Sequence, residues 1–262
     1  MKKILAPVLF CCMLLATQAC KKDKNEDVNT TGGTAKVAMR LTDGPGDYDH
    51  VYVDIQQVVI TMEGSSAVTV APIRPGVYDL LEFSNGIDTL LMETTVPAGK
   101  VSQIRLVLGS NNSVVINGAS YDLGTPSAQE SGLKLNLKET LVANGSYTFW
   151  LDFDAGKSIV QTGNGAYKLK PVIRAYSELT NGRVKGYIMP LQAMATVYAI
   201  VGNDTLSAIP DANGFFMFGG LAEGMYTLWV EPGILGLQPY TMTNVQVSYG
   251  VETNVGVITL LP

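Results

Sequence analysis

The 262-residue chain has one histidine, His50, and three cysteines, and only 16% of its residues are charged. With so few imidazoles and thiols, a His/Cys zinc site is almost excluded. Nucleophilic catalysis would need His50 as its base, and no Gly-x-Ser-x-Gly elbow is present to carry a serine. No Gly-rich phosphate loop joins a strand to a helix, so no nucleotide site is indicated. A formal charge of −5 provides no basic surface for nucleic acid. After the N-terminus, no charge-free apolar run reaches the roughly 18 residues that a membrane-spanning helix needs. What the chain does have is 27 glycines, 12 prolines and 47% hydrophobic residues. That suits a β protein punctuated by loops.

The first residues read MKKILAPVLFCCMLLATQAC. Lys2 and Lys3 precede an apolar run, Ile4 to Ala16, with the length of a signal-peptide core rather than a bilayer span. Cys20 follows the small residue Ala19 at the end of that run, and this arrangement resembles a bacterial lipobox. The resemblance implies cleavage after residue 19 and acylation of Cys20. Thr17 and Gln18 depart from the usual leucine and small residue, and the competing reading is an ordinary secretory signal. Cys11 and Cys12 leave with the leader, so the mature chain has no thiol pair for a disulfide. Lys21 after the lipidated cysteine, rather than Asp, points to the outer membrane of a Gram-negative bacterium. The run KKDKNED resembles the charged export signals of surface lipoproteins, and it equally suits a solvated spacer. The expected location is therefore lipid-anchored at the outer membrane, on its periplasmic or cell-surface face.

Residues 20–34 carry too little apolar surface to order themselves and read as a tether. From Ala35 onward, strands show as period-two stripes. In YTFWLDFD, Tyr147, Phe149, Leu151 and Phe153 share one face, and Thr148, Trp150, Asp152 and Asp154 share the other. The longer run HVYVDIQQVVITM breaks phase at Gln56-Gln57, where a bulge would restore it. Single helical turns are expected near Gly86–Glu93 and Asp154–Val160. Asn181-Gly182 marks a turn before a new strand at Arg183–Met189. The expectation is all-β: two β-sandwich domains, a larger immunoglobulin- or transthyretin-like one over 35–177 and a small one of six or seven strands over 183–262.

In the second segment, the turn Asp211–Gly214, Phe216, Phe218, the loop Gly220–Gly224 and the strand Met225–Val230 resemble the carboxypeptidase regulatory-like domain, a transthyretin-like sandwich. Such domains are accessory modules, and related folds are grouped with starch-binding-like modules, so carbohydrate binding enters by analogy only. In the first segment, LTDGPGDYDHVYVDI (Leu41–Ile55), GVYDLLEFSNGIDTLL (Gly76–Leu91) and PAGKVSQIRLVLG (Pro97–Gly109) resemble the bacterial domain of unknown function 4382. TPSAQESGLKLNL (Thr125–Leu137) and Leu151–Arg174 extend the match. That resemblance implies a secreted or lipid-anchored protein and no mechanism.

Three candidate sites remain. Asp43, Asp47 and Asp49 flank Gly44-Pro45-Gly46 and would offer oxygens to calcium, with Asp152 and Asp154 as further ligands. The competing reading is turn capping by Asp beside Gly and Pro. Otherwise no cofactor is expected. Asp49, Asp54, Asp79, Glu82, Asp152 and Asp154 offer many carboxylate pairs for glycoside hydrolysis, but none is singled out, and no enzyme is expected. Alternation places Trp150 and Trp229 on faces that should be solvated, where indoles bind sugars or anchor partners unless something covers them. The expected role is non-catalytic: binding, adhesion or scaffolding with an envelope protein or glycan as partner. A carbohydrate-binding component of a glycan-uptake system is the alternative.

Overall fold

The computed structural model describes residues 32–262 apart from 45, 126–131, 136 and 138. The leader, Cys20 and most of the tether lie outside the described residues.

In chain order the strands begin with β1 (Thr34–Gly44), β2 (His50–Met62), β3 (Val68–Val70), β4 (Gly76–Asp79), β5 (Thr89–Pro97), β6 (Gly99–Leu108) and β7 (Ser113–Ile116). Next come β8 (Ala119–Gly124), β9 (Leu133–Leu135), β10 (Thr140–Leu141), β11 (Ser146–Asp154), β12 (Ile159–Gln161), β13 (Tyr167–Leu169) and β14 (Ile173–Ser177). The second segment has β15 (Gly182–Met189), β16 (Thr196–Val201), β17 (Asp204–Ala208), β18 (Phe215–Leu221), β19 (Gly224–Glu231), β20 (Tyr240–Val247) and β21 (Glu252–Thr259).

In the first unit a four-stranded sheet, β14-β11-β1-β5, faces a larger sheet whose main path is β10-β6-β2-β7-β8-β13-β12. Strand β1 runs parallel to β11 and antiparallel to β5. The inward stripes close the space between the sheets: Val37, Met39 and Leu41 of β1, Phe149, Leu151 and Phe153 of β11, and Val51, Val53, Ile55, Val58 and Ile60 of β2. Burial of each such side chain contributes about 1.5–3 kcal/mol. The phase break in β2 is a register shift between Ile55 and Gln57 against β6, which leaves both glutamines exposed and returns Val58 to the core.

The second unit packs β18-β15-β21 against β17-β16-β19-β20. Its core is separate and includes Val184, Val197, Phe216, Phe218, Leu228, Val230 and Val247. The turn into β18 needs Gly214, which sits at φ 80°, where an added Cβ would lie 2.4 Å from the Ile188 carbonyl oxygen. Asp211 shapes the same turn by accepting from the amides of Asn213 and Phe215 at 2.8 and 2.9 Å.

Helix is confined to single turns among the described residues. Ala155–Ser158 forms one where Asp154 accepts from the Lys157 amide, within the stretch expected for it. The turn expected at Gly86–Glu93 is not there: β5 begins at Thr89, and a 3-10 turn occupies Leu80–Phe83 instead. The reason is a cap. Asp79 presents its carboxylate to the Leu81 amide at the start of that turn.

Candidate functional site

The outward face of β14-β11-β1-β5 is polar and ordered in rows. Trp150 stands between Tyr176 on β14 and Arg40 on β1, and Asp152 stands between Arg174 and Thr42. The rings of Trp150 and Tyr176 stack at 5.7 Å and 8°. Asp88, from the loop before β5, accepts the indole N–H of Trp150 at 2.8 Å and pairs with Arg40. Arg174 pairs with Asp152, and Lys157 Nζ lies 2.8 Å from Asp154 Oδ2.

This face is only partly open to water. Strands β17 and β18 of the second sandwich lie over it and enclose a cavity of about 280 Å³. Trp150, Asp152, Arg174 and Tyr176 line it from below, and Ser207 and Met217 line it from above. Three side chains of the first unit hold the cover in place. Asn85 donates its amide to the Ile209 carbonyl at 2.9 Å and accepts from the Met217 amide at 3.3 Å. Lys157 donates to the Thr205 carbonyl at 2.8 Å, and Arg174 donates to the carbonyls of Gly219 and Gly220 at 3.3 Å each. Asn181, between the units, accepts from the Gly220 amide at 2.8 Å.

Burial shapes the electrostatics. Desolvation holds the Asp152 carboxyl above the usual carboxylate range, and the Arg174 guanidinium offsets only part of that. Asp43 is pushed up further, first by burial and then by the charge of Asp152, against the Ala155 N–H that it accepts at 3.0 Å. The second oxygen of Asp43 is buried without a hydrogen-bond partner. Burial also raises the Tyr176 hydroxyl.

The three aspartates proposed for calcium are not brought together. Asp43 is buried and bonded to Ala155, Asp47 is exposed, and Asp49 accepts from the Gly118 amide at 2.7 Å. Among the described residues no group of three or more His, Cys, Asp or Glu is placed to hold a metal ion. The backbone bonds of Asp43 and Asp49 are those of turn and end capping.

Trp150 lies on the outward face of β11, as alternation requires, and is half-buried beside the second sandwich. Trp229 keeps a partly open setting: it stacks on Tyr198 at 5.1 Å and 25°, with Ser207 and Thr241 as the next residues across the sheet. Tyr198 was not marked by the sequence, because its partnership with Trp229 exists only through the register of β16 with β19. His50 is about half exposed, stacked on Tyr52, with Nδ1 2.6 Å from Asp79 Oδ2. Asp79 is already engaged by the amides of Val51 and Leu81.

These features define an all-β protein of joined sandwiches whose polar junction is filled with paired charges. Residues 34–171 match the family described as Domain of unknown function (DUF4382), and the chain belongs to that family. No curated protein matches the chain. Among solved structures, a type II cohesin–X-dockerin complex from Acetivibrio cellulolyticus is similar over 30% of this chain, with 24% identity and a TM-score of 0.25. The Bacillus anthracis TIE protein aligns over 88% of the chain at 11% identity and a TM-score of 0.25. A streptococcal ancillary pilin aligns over 88% at 15% identity and a TM-score of 0.22. The matches span 56%, 35% and 63% of those chains. At such TM-scores these likenesses carry no argument about role.

Proposed function

We propose that this chain is a non-catalytic binding or scaffold protein of a bacterial envelope, held at the outer membrane by a lipid on Cys20. One observation carries the non-catalytic part. Of the carboxylates at the junction, Asp88 is engaged by Arg40 and Trp150, Asp152 by Arg174 and Asp154 by Lys157, and only Asp43, bonded through one oxygen to the Ala155 amide, keeps a buried oxygen without a partner. General acid and base chemistry needs two carboxyls free to exchange protons across a cleft that admits substrate. The second sandwich, in its resemblance to carboxypeptidase regulatory-like domains, fits an accessory module. Affinity capture from intact cells through the native anchor, read by mass spectrometry and glycan analysis, tests the reading. A retained partner or glycan left chemically unchanged supports it. Turnover of a polysaccharide that is lost in Asp152→Asn overturns it. Metabolic labelling with a fatty acid tests the anchor: the label should disappear in Cys20→Ser.

A second reading is carbohydrate binding at the outer face of β17-β16-β19-β20. Its support is the partly open Tyr198–Trp229 pair with hydroxyl residues on either side. Aromatic faces beside hydroxyls suit sugar rings. A glycan array with Trp229→Ala tests it, with Trp150→Ala as the counterpart at the junction.

A further inference from the structure

Five acidic residues line the junction cavity. Four of them are in ion pairs: Asp88, Asp152 and Asp154 as described above, and Glu252 with Lys185. Asp43 and a second lining residue, Arg183, are left over, one of each sign, and the formal charges cancel. A charged ligand would have to break an existing pair on entering and strand a partly buried charge. A neutral ligand displaces nothing. Each of the two left-over residues also has a polar atom buried without a hydrogen-bond partner, Asp43 Oδ2 and Arg183 Nε. Asp43 itself is only 5% exposed. A carboxylate oxygen accepts and a guanidinium N–H donates, so the group that complements both is a hydroxyl.

The volume of about 280 Å³ corresponds to about nine water molecules at roughly 30 Å³ each. That is small beside the pockets that take drug-sized molecules, and it suits one polar ring. The stacked Trp150–Tyr176 pair forms part of the wall, and an aromatic surface suits the C–H side of a sugar ring. The cavity also borders the aromatic pair of the second sandwich. Ser207 lines it, and Ser207 is the cross-strand neighbour of Tyr198, which stacks on Trp229. Neighbouring strands lie about 4.8 Å apart, so the aromatic platform begins one strand away from the cavity. Arg174, on the opposite wall, keeps 34% of its side-chain surface in water, so that wall is open to solvent.

We propose that the junction cavity is the end pocket of a glycan site: it takes the terminal sugar residue of a neutral glycan whose next residues lie on Tyr198 and Trp229. The proposal rests on the carbohydrate reading of that outer face, and adds to it the end of the chain and its neutral character. A hydroxyl group of the terminal residue donates to Asp43 and accepts from Arg183. One unpaired carboxyl is enough to bind a hydroxyl. Glycoside cleavage needs a second free carboxyl, and the others lining the cavity are paired. The site therefore holds the chain end without cutting it.

The test uses the full chain on an array of neutral glycans with uronic-acid and amino-sugar counterparts, followed by calorimetric titration with the linear neutral oligosaccharide that binds best. Trp229→Ala, Ser207→Ile and Asp43→Asn are titrated beside the unaltered chain. Ser207→Ile obstructs the passage between cavity and platform with a side chain that suits a strand. Asp43→Asn keeps an acceptor for the Ala155 amide and replaces the other oxygen with a donor. Each of the three should weaken binding by about tenfold, and a bulky group on both ends of the oligosaccharide should do the same. Melting temperatures identify a variant that does not fold, and the other of the two cavity variants then carries the test. If Trp229→Ala weakens binding while Ser207→Ile, Asp43→Asn and end-blocking leave it unchanged, the platform reading stands and the end pocket is overturned. If the unaltered chain binds no neutral glycan, both fall. Binding of acidic or amino-sugar glycans alone overturns the neutral pocket.

Discussion

Tyr176 lies against Gly220 so closely that a Cβ on the glycine would meet the tyrosine ring at 2.3 Å. The glycine also sits at φ 62°, a conformation that costs an L side chain strain. The contact joins the outward face of the first sandwich to the edge of the second. The same ring stacks on Trp150, so the junction is a continuous layer: indole, phenol, glycine backbone.

Gly220→Leu should therefore loosen the junction. The ring is buried and part of a stack, so it cannot simply swing aside. A loss of about 1–3 kcal/mol is expected from overpacking, with strain from the positive φ adding to it. Urea unfolding should show a lowered midpoint, and separate transitions for the two sandwiches if the junction is what couples them. Gly163→Ala, where nothing lies within 4 Å of an added Cβ, is the matching control.

Arg174→Ala removes the partner of Asp152 and both donors to the Gly219 and Gly220 carbonyls. Stripping the partner from a buried ion typically costs about 3–5 kcal/mol. Here about 2–3 kcal/mol is expected, because the arginine side chain keeps 34% of its surface in water. Arg174→Lys should recover part of the loss, since a single ammonium cannot reach the carboxylate and both carbonyls in the same fork.

Stability should also depend on pH in a defined direction. Burial raises the folded-state pKa of Asp43 and of Asp152 above their unfolded values. In the window between the two values the folded state binds more protons than the unfolded one. Their contribution is therefore largest at the acid end, and stability declines as pH rises from about 4 through the raised folded values. Asp43→Asn should flatten that decline, because an amide does not ionise and its oxygen still accepts from Ala155. Urea midpoints measured across this range check the slope. An unchanged slope in Asp43→Asn would remove Asp43 from the account.

Calcium should leave the protein unmoved. Asp43 and Asp49 accept from the amides of different segments, Ala155 and Gly118, and Asp47 is exposed, so adding calcium after chelation is expected to shift neither the melting temperature nor the tryptophan fluorescence. A clear shift in either would restore a cation site near these residues.

Trp229→Ala should cost only about 0.5–1.5 kcal/mol beyond its lost burial, the value of a cross-strand aromatic pair. Trp150→Ala should cost more, since it removes a comparable stack, on Tyr176, and also frees Asp88 from its indole donor. Chemical denaturation of the two variants compares them directly.

Much of the fold was legible from alternation. In β11, Phe149, Leu151 and Phe153 are fully interior, and in β2 the bulge falls at the two glutamines where the phase breaks. The site was less so. Period two tells which face a residue is on but not whether that face meets water. Trp150, Asp152 and Asp154 lie on the polar face as read, and residues some fifty to seventy positions later in the chain lie against them, leaving both aspartates buried and Trp150 half-buried. The aspartate spacing 43, 47, 49 suggested convergence, yet strand β1 carries Asp43 into the interior while the turn carries Asp47 to solvent. Asn85 gave no signal, because its importance lies in reaching two backbone groups of a strand pair far away in sequence.

The closed junction is tested most directly by hydrogen exchange on the unaltered chain, strand by strand. The Met217 amide, bonded to Asn85, should be as protected as amides in interior strands, while the β20 amides that face away from β19 exchange freely. If Met217 exchanged as fast as the β20 edge, the first sandwich would not be covering the second, and the junction described above would not exist in solution.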